Sequence, residues 1–169
     1  SGADSDENGN VAIGNEAGAS INHDDADKNV IIGFSAGTGG GAAMANCVVI
    51  GDSAMNSTAA NAQTGTIAIG SSALTSLTSG VANTVIGYQA GDAMTDGGYN
   101  TVIGYGAGTG ITSGSYNVAL GYFAGDLVTD GIRNTLIGAH AGGALTSGES
   151  NTFLGQFAAG SSQDVDNTV

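Results

Sequence analysis

Asn83-Thr84-Val85-Ile86-Gly87-Tyr88-Gln89-Ala90-Gly91 returns 17 residues later as Asn100-Thr101-Val102-Ile103-Gly104-Tyr105-Gly106-Ala107-Gly108. Aligned on its first glycine, the unit recurs along the chain at Gly14, Gly33, Gly51, Gly70, Gly87, Gly104, Gly121, Gly138 and Gly155. The intervals are 19, 18, 19 and then 17 residues five times. A period this short has no room for two helices. It fits one solenoid coil of two short strands and two turns, so the chain is expected to be an all-β parallel β-solenoid of about nine coils.

The residue before the glycine is Ile or Leu in every unit, from Ile13 to Leu154, and two residues earlier stands Val, Ile or Thr. Strand side chains alternate, so these positions share a face, which is expected to be the coil interior. Alanine follows the glycine by three residues in every unit, from Ala17 to Ala158, as a tightly packed corner requires. The glycine itself fits positive φ or close backbone approach. Leu77, Met94, Ile111, Val128 and Leu145 mark a return strand, and Asn opens most units, where stacked amides can form a ladder along the axis. The column between the two inward positions is Ala12, Ile31, Val49, Ala68, Val85, Val102, Ala119, Leu136 and Phe153. By alternation it should face outward, yet it is wholly apolar, so it is expected to be the oligomer interface.

Composition agrees with a thin, regular core. The 169 residues include 31 Gly, no Pro and no Trp, with 5% aromatic and 10% charged residues. Net charge is −13, with Lys28 and Arg133 the only basic side chains apart from two His. That balance argues against nucleic acid and anionic membrane surfaces as partners. No apolar run approaches spanning length, so no membrane insertion is expected in this segment. Cys47 stands alone, which rules out an intrachain disulfide and reads as a buried thiol. Residues 1–9 read as a tag remnant (Ser1-Gly2) and lead-in, and residues 10–169 as a single solenoid domain, expected to be a fragment of a longer protein.

The unit N-T/V-x-I-G-x-x-A resembles the head repeat of YadA-type trimeric autotransporter adhesins, and N-T-x-I-G-x-x-A-G is similar to repeats of phage tail fibres. The resemblance runs from Asn10 to Ala159. It implies a left-handed β-roll in which three identical chains pack around a common axis, in an extracellular fibre on a virion or a bacterial surface. The implied role is attachment to a host receptor or glycan.

Candidate sites are few. Asp24, Asp25 and Asp27 form an acidic loop, the one weak candidate for Ca²⁺ or another cation, although it lacks the D-x-D-x-D-G pattern. His23 and His140 have no partner at ligand spacing. Otherwise no cofactor is expected. Tyr88, Tyr105 and Tyr122 follow the repeat glycine in successive units and form a candidate ligand platform or aromatic ladder. Two Asp columns, Asp92 with Asp126 and Asp96 with Asp130, are the only basis for a polysaccharide-degrading alternative. Thr columns are the basis for an ice-binding one, with Thr84, Thr101, Thr135 and Thr152 expected inward. The leading expectation is a non-enzymatic, structural or adhesive fibre segment.

Overall fold

The computed structural model describes residues 9–19, 21, 26–39, 44–57, 63–159 and 166–167. It is a parallel β-solenoid of about eight turns. The strands are β1 (Val11–Ile13), β2 (Val30–Ile32), β3 (Met44–Ala45), β4 (Val48–Ile50), β5 (Gln63–Thr64), β6 (Ile67–Ile69), β7 (Thr84–Ile86), β8 (Thr101–Ile103), β9 (Val118–Leu120), β10 (Thr135–Ile137) and β11 (Thr152–Leu154). Nine of them form one parallel sheet, in the order β1-β2-β4-β6-β7-β8-β9-β10-β11. The register pairs equivalent residues of successive units, as in Thr84↔Thr101, Val85↔Val102 and Ile86↔Ile103.

The facing of this sheet is the reverse of the expected one. Ile31, Val49, Ala68, Val85, Val102, Ala119 and Leu136 are fully buried inside the coil, and Phe153 nearly so. Ala12, in the terminal strand, is exposed. This middle column therefore cannot be the oligomer interface. The flanking pairs, Val11 and Ile13 through Thr152 and Leu154, point outward, half-buried in the inner strands apart from the exposed Ile103, and exposed in the terminal ones. Both faces of the triplet are apolar, so alternation alone could not say which was inside; the asparagine before it does.

Asn29, Asn83, Asn100, Asn117, Asn134 and Asn151 are buried and have the parity of the middle column. Asn83 Oδ1 accepts from the backbone N–H of Asn100 at 2.9 Å and from its Nδ2 at 3.2 Å. The same pair of bonds links Asn100 to Asn117, Asn117 to Asn134, and Asn134 to Asn151. Nδ2 also crosses the coil to a carbonyl on the return side: Asn29 to Met44, Asn83 to Gly97 at 2.8 Å, Asn100 to Gly114 at 2.9 Å, Asn117 to Gly131 at 2.7 Å, Asn134 to Gly148 at 2.8 Å. The amide is thus both rung and cross-strut, which a buried polar group needs to avoid a desolvation penalty.

Two units break the ladder. Cys47 takes the Asn position: its N–H donates the ladder bond to Asn29 Oδ1 at 2.9 Å, and its Sγ makes weak contacts to the Ala45 carbonyl at 3.4 Å and the Gln63 carbonyl at 3.6 Å. Burial pushes its thiol pKa above the ordinary value, partly offset by backbone hydrogen bonds. Thr66 follows, and its buried Oγ1 has no partner. On the return side, Gln63 Nε2 donates to the Thr78 carbonyl of the next coil at 2.7 Å.

The return side is less strand-like than expected. Leu77, Met94, Ile111, Val128 and Leu145 are fully buried as anticipated, but among the described residues only β3 and β5 pair there as strands. Elsewhere the chain forms bends whose backbone still bonds from coil to coil, as Thr95 N–H to the Thr112 carbonyl at 2.9 Å. Threonine hydroxyls add parallel bonds: Thr78 to the Thr95 carbonyl at 2.8 Å and Thr112 to that of Thr129 at 3.0 Å. The alanine column from Ala36 to Ala141 is fully buried.

The repeat glycine satisfies both of its expected reasons. Gly104 has φ +140, and a Cβ there would lie 2.4 Å from the carbonyl oxygen of Gly121 in the next coil. Gly104→Ala should therefore cost at least about 2 kcal/mol in denaturant unfolding, through strain plus forced separation of coils. Gly65→Ala, at φ +65 with nothing within 4 Å of the added methyl, should cost less. Completing the ladder should work in the opposite direction. Thr66→Asn is expected to raise stability by about 1 kcal/mol, and Asn117→Ala to lower it by about 2 kcal/mol or more by orphaning buried groups. A Thr66→Asn protein no more stable than the parent would contradict the ladder's role.

Candidate functional site

Two surfaces of the coil are candidates for contact. The first is the outer face of the main sheet. Its two columns are Val11, Val30, Val48, Ile67, Thr84, Thr101, Val118, Thr135 and Thr152, and Ile13, Ile32, Ile50, Ile69, Ile86, Ile103, Leu120, Ile137 and Leu154. Every residue is aliphatic or Thr, and none is charged. At strand spacing the strip is ~40 Å long. Thr84, Thr101, Thr135 and Thr152 belong to this outward face, not to the interior as expected, because the whole triplet is turned over.

The second surface is the corner after the repeat glycine. Its backbone turns through left-handed residues two positions beyond the glycine, among them Ser35 (φ 48), Gln89 (φ 53), Phe123 (φ 48), His140 (φ 55) and Phe157 (φ 58). A non-glycine residue in that region costs roughly 1–2 kcal/mol. The conformation is held by bonds to the preceding coil, Phe123 N–H to the Tyr105 carbonyl at 3.0 Å and His140 N–H to that of Tyr122 at 2.9 Å.

On this corner the tyrosine platform is assembled as expected. Tyr88 and Tyr105 stack at 5.0 Å between centroids, and Tyr105 and Tyr122 at 5.6 Å. All three are about half exposed. Beside them runs a second stack that sequence reasoning missed, Phe123 on His140 at 5.8 Å and His140 on Phe157 at 5.2 Å, with planes within 5°. The two stacks touch edge to face through Tyr122, 4.7 Å from Phe123 and 5.5 Å from His140. The signal was available as a one-residue offset: the ring leaves the tyrosine column at Ala139 and Gln156 and reappears one position later. Phe34 shares the tyrosine column but is separated by Asp52 and Ser71, and stands exposed. Tyr99 and Tyr116 form a separate stack at 5.0 Å before the Asn ladder.

At the end of the second stack lies a cavity of about 280 Å³ lined by Asp126, His140, Gly143, Ala144, Phe157 and Ala159. It exists because Gly143 carries no side chain in the column where Asp92 and Asp126 do. Asp126 Oδ1 is buried without a hydrogen-bond partner, and Oδ2 lies 4.0 Å from His140 Nδ1, too far for a hydrogen bond.

The remaining candidates stay apart. Asp24 and Asp25, with His23, lie outside the described residues. Asp27 is half-buried, and its carbonyl accepts from Asn46 N–H at 2.9 Å. Among the described residues no three His, Cys, Asp or Glu side chains gather as a metal site. Asp96 and Asp130 accept from the neighbouring Thr95 and Thr129 hydroxyls. Among the described residues, Asp126 is the one carboxylate lining the cavity. Comparison with protein families, with curated proteins and with solved structures gave no match.

Asp92 offers a test of this corner's electrostatics. Burial raises its pKa above the ordinary 3.8, against backbone hydrogen bonds that lower it. Its folded pKa thus exceeds its unfolded one, so the fold binds more protons between them, and the Asp92 contribution to stability falls as pH rises through that window. Asp92→Asn should raise stability at neutral pH relative to the parent, and the difference should vanish on acidification below 3.8. Thermal melts across that pH range would show a constant difference if burial were not the cause.

Proposed function

We propose that this chain is a protomer of a homotrimeric, extracellular fibre, on a virion tail or a bacterial surface, that serves as shaft or head and presents repeated surfaces for attachment. The observation that carries the reading is the uncharged outer face of the main sheet. Exposed along a single chain, such a strip is a liability for a soluble protein. Packed against the same strip of two further copies around an axis, it becomes a second core. That packing leaves the acidic and aromatic corners in solvent, where a net charge of −13 keeps fibres from clumping. Resemblance of the N-T/V-x-I-G-x-x-A unit to adhesin-head and tail-fibre repeats supports the same arrangement, including its left-handed roll. Function is then mechanical and multivalent, because identical corners repeated around and along one axis raise avidity for weak contacts.

The glycosidase alternative needs two carboxylates flanking one bond, and among the described residues the cavity offers Asp126 alone. One observation favours an ice-binding face, the outward row of Thr84, Thr101, Thr135 and Thr152. Against it, Val118 interrupts the row and the units before Thr84 carry aliphatic residues there.

Sedimentation velocity on the whole chain should give a trimer at micromolar concentration. The pair Ile86→Lys and Ile103→Lys should dissociate it, while Gln89→Lys at the corner should not. A folded parent monomer, or thermal hysteresis in ice-growth assays by such a monomer, would overturn the fibre reading.

A further inference from the structure

We propose that the cavity beside Phe157 is a subsite for a single neutral hexopyranose ring, and that the tyrosine stack leading to it carries the neighbouring sugars of a surface glycan. The inference deepens the attachment reading and rests on it for biological context, although the cavity chemistry stands without it.

Three features converge. His140, stacked between Phe123 and Phe157, turns only its ring edge to the cavity, while Phe157 is two-thirds exposed at 67%, so the apolar C–H face of a pyranose has a partner there. The floor holds a carboxylate with nothing to accept from. Asp126 Oδ1 is a buried acceptor with no donor, and Oδ2 has His140 Nδ1 no closer than 4.0 Å. The Asp126 side chain keeps 24% exposure, so a sugar hydroxyl in the cavity can donate to Oδ2. The volume of about 280 Å³ is at the small end for ligand pockets, suited to one ring and not to a chain of them.

Charge selects among sugars. With Asp126 in the floor and −13 on the chain, a sialic or uronic acid meets repulsion. Continuity selects for a polymer. From the cavity wall at His140 the rings pass edge to face to Tyr122 and then along Tyr105 to Tyr88. A glycan whose end residue occupies the cavity would lie along that track, where exposed aromatic surface is already stacked and loses little entropy on binding.

The test is ligand-detected saturation-transfer NMR with the whole chain and a panel of methyl hexopyranosides of glucose, galactose, mannose and glucosamine, with the methyl glycoside of sialic acid as the anionic member. At least one neutral hexoside should receive saturation and the sialoside none. Asp126→Ala and Phe157→Ala should each weaken binding by about tenfold or more. Tyr99→Ala, on the separate stack, should leave it unchanged. Asp126→Ala removes an unbonded carboxylate, so its melting temperature should equal or exceed the parent's, separating lost binding from lost fold. No transfer to any neutral hexoside, or binding indifferent to Asp126→Ala, would overturn the subsite. Preferential binding of the amino sugar would shift the ligand from neutral to cationic and overturn the neutral assignment. These failures are distinguishable from failure of the fibre reading: a trimer without hexoside binding refutes the subsite alone, and a monomer that binds hexoside refutes the fibre alone.

Discussion

Stacking at the spacing of hydrogen-bonded strands is the constraint on which everything else depends. Once each coil lies ~4.8 Å above the last, every residue sits directly over its own equivalent. A position then has three ways to satisfy its neighbour. It can vanish, as Gly104 does beneath the Gly121 carbonyl. It can be small and apolar, as in the column from Ala36 to Ala141. Or it can complement itself, as asparagine does by accepting with Oδ1 while donating with Nδ2. The buried amide chain is therefore a product of translation symmetry, and polarisation along it strengthens each bond.

This constraint also explains what could and could not be read in advance. Period, parallel architecture, the small corner alanine, the glycine and the return column were all legible, because each depends on one residue type recurring at one offset. The facing of the triplet was misread. Val85 and Ile86 are equally apolar, and the eye favours the bulkier and more regular column as core. The deciding clue was two residues before Val85: Asn83 finds its partners in the next asparagine and in the Gly97 carbonyl across the coil, so it lies inside, and Val85 shares its parity. The return segment was over-read as a strand because a single buried residue per turn, such as Ile111, specifies burial without extended backbone on both sides. The cavity was illegible for another reason. It depends on a missing side chain at Gly143, and an absence gives no pattern to count.

The stack is not uniform along its length. Where the interval is 18 or 19 residues, the ladder passes through Cys47 and Thr66, β3 pairs with β5, and Met55 and Leu74 fill the interior at positions held by Gly91 and Gly108 further on. Those larger side chains lie in the units whose middle residues are Val49 and Ala68. In the 17-residue region the polar ladder is continuous and the surface rings gather. Regular interior and ordered aromatic exterior thus coincide in the same coils.

The left-handed corner has a consequence for how such a chain changes over time. Its shape is set by backbone bonds to the coil below, not by the side chain it carries. Within this one molecule the two corner positions read Asn15-Glu16, Phe34-Ser35, Asp52-Ser53, Ser71-Ser72, Tyr88-Gln89, Tyr105-Gly106, Tyr122-Phe123, Ala139-His140 and Gln156-Phe157. Acids, amides, hydroxyls and rings all occupy the same bend with no change of register. The corner is a writable row on an otherwise fixed template: duplication copies the template, and mutation rewrites the row one coil at a time. Binding preference can drift there without touching the residues that keep the stack together.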